Sequence, residues 1–130
     1  MSEENVELVR RAIEHFIGTG EPQWSVTHDY VEVYDHDILD AGDYRGHAGF
    51  RHWLEDWAAA WSDFSMEPDE FLDAGDRVVA VIRMKATGRG SGVVVQRRDA
   101  MVCALREGKI ARLDYYNNRE QALKTVGLEE

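Results

Sequence analysis

The chain has 130 residues, with 15 basic and 25 acidic side chains, a net charge of −10 with His neutral, and one cysteine. That length suits one domain, spanning 1–130, with a real core. The acidic balance argues against a nucleic-acid backbone or an anionic membrane as partner, and a single cysteine excludes an internal disulfide.

The polar start MSEENVE is unlike a signal peptide, and no apolar run approaches the length of a membrane span. A reducing, cytoplasmic location is the expectation. The first helix is expected from about Ser2 to Ile17, capped by Ser2, with Glu3 and Glu4 in the first turn where the helix dipole favours them. Val6, Val9, Ile13, Phe16 and Ile17 form one apolar stripe, and Gly18 and Gly20 stop the helix. Pro22 can start a short second helix, about Gln23 to Thr27.

Tyr30 to Asp35 reads as a strand with Val31, Val33 and Asp35 on one parity. Asp37 to Gly46 reads as a loop. The next helix, about Ala48 to Trp61, puts Phe50, Trp53, Leu54, Trp57 and Trp61 on one broad face. Phe64 to Leu72 is a strand interrupted by Pro68, hence an edge or bulged one. Val78 to Thr87 follows, and its wholly apolar set (Val78, Ala80, Ile82, Met84) should face inward. Gly88 to Gly92 is a hairpin loop.

Val93 to Asn118 reads as two long strands joined at Arg106-Glu107-Gly108-Lys109, with Gly108 free to take positive φ. Met101 and Cys103 share one parity before the turn, and Leu113 and Tyr115 share one after it. Asn118 with Gln121 three residues on makes a capping-box pattern for a short last helix, which Gly127 ends. Helices first and strands last predict an α+β fold with a curved antiparallel sheet wrapped on the helices.

In this order and spacing, five stretches resemble the SnoaL-like branch of the nuclear transport factor 2-like superfamily. They are ENVELVRRAIEHF, YRGHAGFRHWLEDW, DAGDRVVAV, LREGKIARL and YYNNREQALKTVGL, and they cover nearly the whole chain. The resemblance implies a cone: a bent, mixed sheet closed by helices, with a pocket at the open end and, in many members, a homodimer. The branch includes polyketide cyclases, ketosteroid isomerases, limonene epoxide hydrolases and scytalone dehydratases, so the fold alone is weak evidence for a reaction.

Matched position by position, Asp35 in VEVYDHD falls where ketosteroid isomerases keep their proton-shuttling carboxylate. The two oxyanion donors of those enzymes fall on Ala12 and near Met101, so both are missing. The epoxide-hydrolase relay falls on Ile82, Met84 and Tyr115, and no register restores it. The single aspartate of the cyclases falls on Tyr115, with Asp114 beside it. Alternation turns Tyr115 inward and Asp114 outward, unless a β-bulge exchanges them.

Catalytic candidates are therefore Asp35, assisted by Tyr115, His36 or Tyr34, with Asp114 as the alternative. Each has a plainer reading: Asp35 as a strand end that caps the loop after it, Asp114 as a solvated strand residue or partner of Arg112, and Tyr115 as a core residue with a bonded hydroxyl. Ile82, Met84, Met101, Cys103 and Leu113, with Trp53 and Trp57, would line an apolar pocket. Asp99 and Arg97 share the inward parity of Met101 and form a pair at the pocket rim or a dimer interface. His47 and His52, five apart, cannot share a helical face as metal ligands, so no metal and no cofactor is expected. Two functions stay open: a cofactor-free isomerase, cyclase or hydrolase using carboxylate acid–base chemistry on a small hydrophobic substrate, or a non-catalytic ligand-binding or dimeric interaction domain. The dimer expectation rests on the resemblance and on an outward strand face carrying Val102, Ile110 and Tyr116.

Overall fold

A computed structural model of the chain describes residues 2–37 and 44–128. The order is α1 (Ser2–Thr19), a 3-10 turn (Trp24–Val26), β1 (Thr27–Asp35), β2 (Tyr44–Arg45), α2 (Gly46–Ala60), β3 (Trp61–Ala74), β4 (Arg77–Gly88), β5 (Val94–Arg106), β6 (Lys109–Tyr116) and α3 (Arg119–Thr125). The strands make one six-stranded sheet in the order β2-β1-β6-β5-β4-β3. Among the described residues only β1 and β6 pair in parallel, so the sheet is mixed. This is the α+β architecture expected. The Ser2 side chain and most of the 37–46 loop lie outside the described residues, so the expected cap and loop there are not described.

Two hydrophobic clusters lie on opposite faces of the sheet. On the inner face, Val78, Ala80 and Ile82 of β4 and Met101 and Cys103 of β5 pack with Val9 of α1 and Trp53 of α2. On the outer face, Val79, Val81, Ala100 and Val102 are covered by Ala122 and Leu123 of α3. Strand alternation produces both sets, and the amphipathic helices decide which element covers each. Asn118 caps α3 as expected, its side chain accepting from the Gln121 N–H at 2.8 Å.

The patch expected to carry a dimer is not available within the chain. Val102 and Tyr116 are buried under α3, and Ile110 belongs to the inner core. Tyr116 is tied down further by a 3.0 Å hydroxyl contact with Thr125.

Several boundaries shift for local reasons. Helix α1 continues to Thr19, where Gly20 at φ 78° lets its N–H return to the Phe16 carbonyl at 2.7 Å. Strand β1 starts at Thr27, whose hydroxyl reaches the Gln23 carbonyl at 2.9 Å. Trp61 opens β3 instead of ending α2, because the chain passes from helix to strand without a loop. Gly49 is required where α2 crosses β2, since a Cβ there would stand 2.7 Å from the Tyr44 carbonyl carbon. Strand β3 is an edge strand with a register shift at Pro68, as the proline demands. The tight turn after β5 takes positive φ at both Glu107 and Gly108, which matches the twist of the flanking strands. No described helix is long and apolar enough to cross a membrane.

Candidate functional site

A cavity of about 390 Å³ lies between α1, α2 and the inner face of the sheet. Its buried end is made by Ala12 and Ile13 of α1, Phe50 and Trp53 of α2, and Leu113 and Tyr115 of β6. Its open end is made by half-buried and exposed residues, among them Gln23, Trp61, Ser62, Asp63, Phe64 and Arg89. Aromatic rings set its shape. Tyr115 meets Trp53 edge-on at 5.5 Å between centroids and Trp57 at 5.4 Å, while Trp57 meets Phe64 at 5.4 Å.

Two buried carboxylates stand on the strands flanking β6. Asp35 is the last residue of β1 and pairs in register with Tyr115. Its Oδ2 accepts the Trp53 indole N–H at 2.9 Å and the Trp57 indole N–H at 3.3 Å, and its Oδ1 accepts the Asp37 backbone N–H at 3.2 Å. The i, i+4 spacing of the two tryptophans stacks them on one helix face, so one oxygen serves both. Asp99 of β5 is fully buried. It accepts the Tyr115 hydroxyl and is held by Arg97, whose Nε lies 2.6 Å from Oδ1. Arg97 lies in turn over the Trp61 ring at 5.9 Å.

Burial pushes the Tyr115 hydroxyl well above the ordinary phenol range, and the charge and hydrogen bond of Asp99 add to it. Tyr115 therefore keeps its proton at neutral pH. Burial likewise pushes the Cys103 thiol up to about 12, which makes it an inert core side chain.

A second cluster lies on the outer face, at the β1–β6 pair. Asp114 accepts Arg112 Nε at 2.8 Å and Nη2 at 3.0 Å, and its Oδ1 lies 2.7 Å from His36 Nε2. Arg112 also stacks over Tyr34 at 4.2 Å, and His36 stacks on Tyr116 at 4.5 Å.

The structure thus divides the residues singled out from sequence into three groups. Trp53, Trp57, Met101, Leu113 and Tyr115 line the cavity. Asp35, Ile82, Met84, Asp99 and Cys103 are buried behind its wall and do not line it. Tyr34, His36 and Asp114 lie on the opposite face, because strand alternation separates them from Val33, Asp35 and Tyr115, and no bulge at Tyr115 reverses it. The Arg97–Asp99 pair forms: the fully buried Asp99 holds the Tyr115 hydroxyl, and the half-buried Arg97 lies over Trp61 at the cavity's open end. The sequence reading missed Arg89, Phe64 and Met66 as lining residues. Only the Ile13–Phe16 stripe pointed to the part played by α1. Arg89 sits in a glycine-rich turn that carries no such signal. Among the described residues, no three His, Cys, Asp or Glu side chains come together in a way that would hold a metal ion.

The model of the SnoaL-like domain family matches residues 9–113. A putative SnoaL-like polyketide cyclase from Jannaschia sp. CCS1 superposes with a TM-score of 0.74 at 17% identity, covering 99% of this chain and 94% of that one. A nuclear transport factor 2-like protein from Burkholderia xenovorans LB400 gives 0.72 at 21% identity, covering 89% and 90%. TerC, co-crystallised with polyporic acid, gives 0.74 at 21% identity, covering 95% and 98%. At these identities the likeness is one of fold. A comparison with curated proteins found no match.

Proposed function

Because the chain belongs to the SnoaL-like family, whose fold it shares with a putative polyketide cyclase, we propose that it binds a small hydrophobic, aromatic-rich molecule in the cavity between its helices and sheet. One observation carries this reading. The cavity is walled mainly by aliphatic and aromatic side chains, with Asp63 at its open end, while the two buried carboxylates beside it, Asp35 and Asp99, are turned to holding that wall in place. Pockets of this size and lining suit compact organic ligands. The co-crystal of TerC with polyporic acid supports a small-molecule role for the fold.

A second reading is cofactor-free acid–base chemistry with Asp35 as the proton carrier. It is favoured by the position of Asp35, which shares a hydrogen bond with each of two cavity-lining indoles. Proton transfer requires Asp35 to reach a substrate directly, and therefore to give up at least one of those bonds.

A thermal-shift screen against small apolar ketones, epoxides, steroids and aromatic polyketides tests both. A ligand at a hundred times its dissociation constant adds about 2.7 kcal/mol, a clear rise in Tm. A hit without turnover supports the binding protein. A hit whose turnover disappears in Asp35→Asn, with binding kept, supports the enzyme. No stabilisation by any class overturns the pocket reading.

A further inference from the structure

The hydrogen-bond donors of the cavity are unevenly distributed, and this constrains the ligand. At the buried end every side-chain donor already has an acceptor within the chain. Trp53 gives its N–H to Asp35, Tyr115 gives its hydroxyl to Asp99, and Thr27 gives its hydroxyl to the Gln23 carbonyl. Trp57, halfway along, also bonds Asp35. Among the described residues no buried side-chain nitrogen or oxygen lacks a partner. The cavity side chains with donors not engaged this way are Gln23, Trp61 and part of the Arg89 guanidinium, all half-buried or exposed. What remains at the buried end is acceptor capacity. The Tyr115 oxygen still carries lone pairs after donating its one proton.

We propose that the cavity selects its ligand by polarity direction: it takes an aromatic body whose buried end is apolar or carries a hydroxyl, and it rejects a carbonyl, enolate or carboxylate oxygen there. This deepens the pocket reading and rests on it. A hydroxyl reaching the buried end can donate to the Tyr115 oxygen. A carbonyl oxygen in the same place is stripped of water and meets no donor, an arrangement that costs about tenfold or more in affinity. The same asymmetry leaves an enolate intermediate without a stabiliser at that end.

Three probes of one size test it: biphenyl-4-carboxylates bearing 4′-ethyl, 4′-(1-hydroxyethyl) or 4′-acetyl. The ionised carboxylate stays in water at the open end, because burying it costs more than any difference at the other end. Calorimetry on the full chain should rank the hydroxyethyl and ethyl probes about tenfold or more above the acetyl probe. In Tyr115→Phe the hydroxyethyl probe should fall to or below the ethyl probe, with the acetyl probe unchanged. If that variant does not fold, the wild-type ranking decides alone. An acetyl probe binding as well as the others, or better, overturns this inference and leaves the pocket reading standing. No binding by any of the three at millimolar concentration overturns both.

Discussion

Tyr115 gives its hydroxyl proton to the fully buried carboxylate of Asp99, sixteen residues before it on the neighbouring strand. The ring of Tyr115 is gripped edge-on by Trp53 and Trp57 at 5.5 and 5.4 Å, and both of those indoles are bonded to Asp35. The two inner-face aspartates thus act through the same aromatic cluster, from opposite sides of β6.

Removing Asp99 should therefore cost about as much as truncating a large core residue. Asp99→Ala leaves Arg97 without its carboxylate and Tyr115 without its acceptor, at a cost of about 3 kcal/mol. Asp99→Asn keeps an acceptor for Tyr115 and should lose about half as much. Urea unfolding of the three proteins measures this. Equal midpoints for wild type and Asp99→Ala would show that the clamp contributes nothing.

Asp35→Leu should be the more damaging change at the other aspartate. It strands the Trp53 and Trp57 N–H groups, and burying unsatisfied donors costs about 1–3 kcal/mol each. Trp57 is half-buried and can turn toward water, so a total of about 3 kcal/mol is expected. Asp35→Asn retains a carbonyl oxygen for both indoles and should stay within about 1 kcal/mol of wild type. Hydrogen exchange of the indole N–H groups gives a ligand-free readout: protection of Trp53 should persist in Asn and collapse in Leu. Unchanged protection in Leu would remove Asp35 from the account of the cavity wall.

The local signals in the sequence carried most of the fold. Pro68 placed an edge strand, Asn118 with Gln121 placed the α3 cap, and Arg106–Lys109 placed the turn, because each rests on chemistry within a few residues. Alternation also separated Tyr115 from Asp114. It could not say which element covers each face, so Val102 and Tyr116 looked outward until α3 was seen to lie on them. The Arg97–Asp99 pair, two residues apart on one strand face, was legible, but the aromatic partners of Asp35 and Asp99 were out of reach. They depend on contacts between residues 16 to 22 apart in sequence, on different elements, which no spacing rule predicts.

Arg89 closes the C-terminal end of α2 from the β4–β5 turn. Its Nε and Nη2 donate to the carbonyls of Ala59 at 3.2 Å, Ala58 at 3.1 Å and Trp61 at 2.8 Å. These are carbonyls with no partner inside the helix, and a cation there also meets the negative end of the helix dipole. Arg89→Ala should lower stability by about 1 kcal/mol, since the site is exposed and water replaces part of the loss. It should also loosen the cavity mouth, read as faster ligand dissociation in stopped flow. Lysine at this position keeps the charge but cannot reach three carbonyls at once, so it should recover less than half of the effect.

The outer-face cluster should dominate the acid limb of stability. Burial opposes ionisation of Asp114 and is the largest single influence, but the bonds from Arg112 and His36 together outweigh it and hold its carboxyl below the usual range. With the carboxylate ionised, His36 Nε2 is the donor in that 2.7 Å contact. The folded chain therefore releases this proton more readily than the unfolded chain, which binds more protons through the window. The contribution is complete above about pH 5, where an unfolded aspartate is also ionised, and is lost as pH falls through the lower folded value. Glu70 acts in the same direction through Arg119 at 2.7 Å, though from a more exposed position. Asp114→Asn should thus be less stable than wild type at pH 7 and should lose much of the stability slope between about pH 5 and pH 2, so that the two curves converge in acid. Glu70→Gln, by contrast, should keep most of that slope. Urea midpoints measured from pH 2 to pH 7 decide it: parallel curves for wild type and Asp114→Asn would show that the cluster holding β1 to β6 does not act through the charge of Asp114.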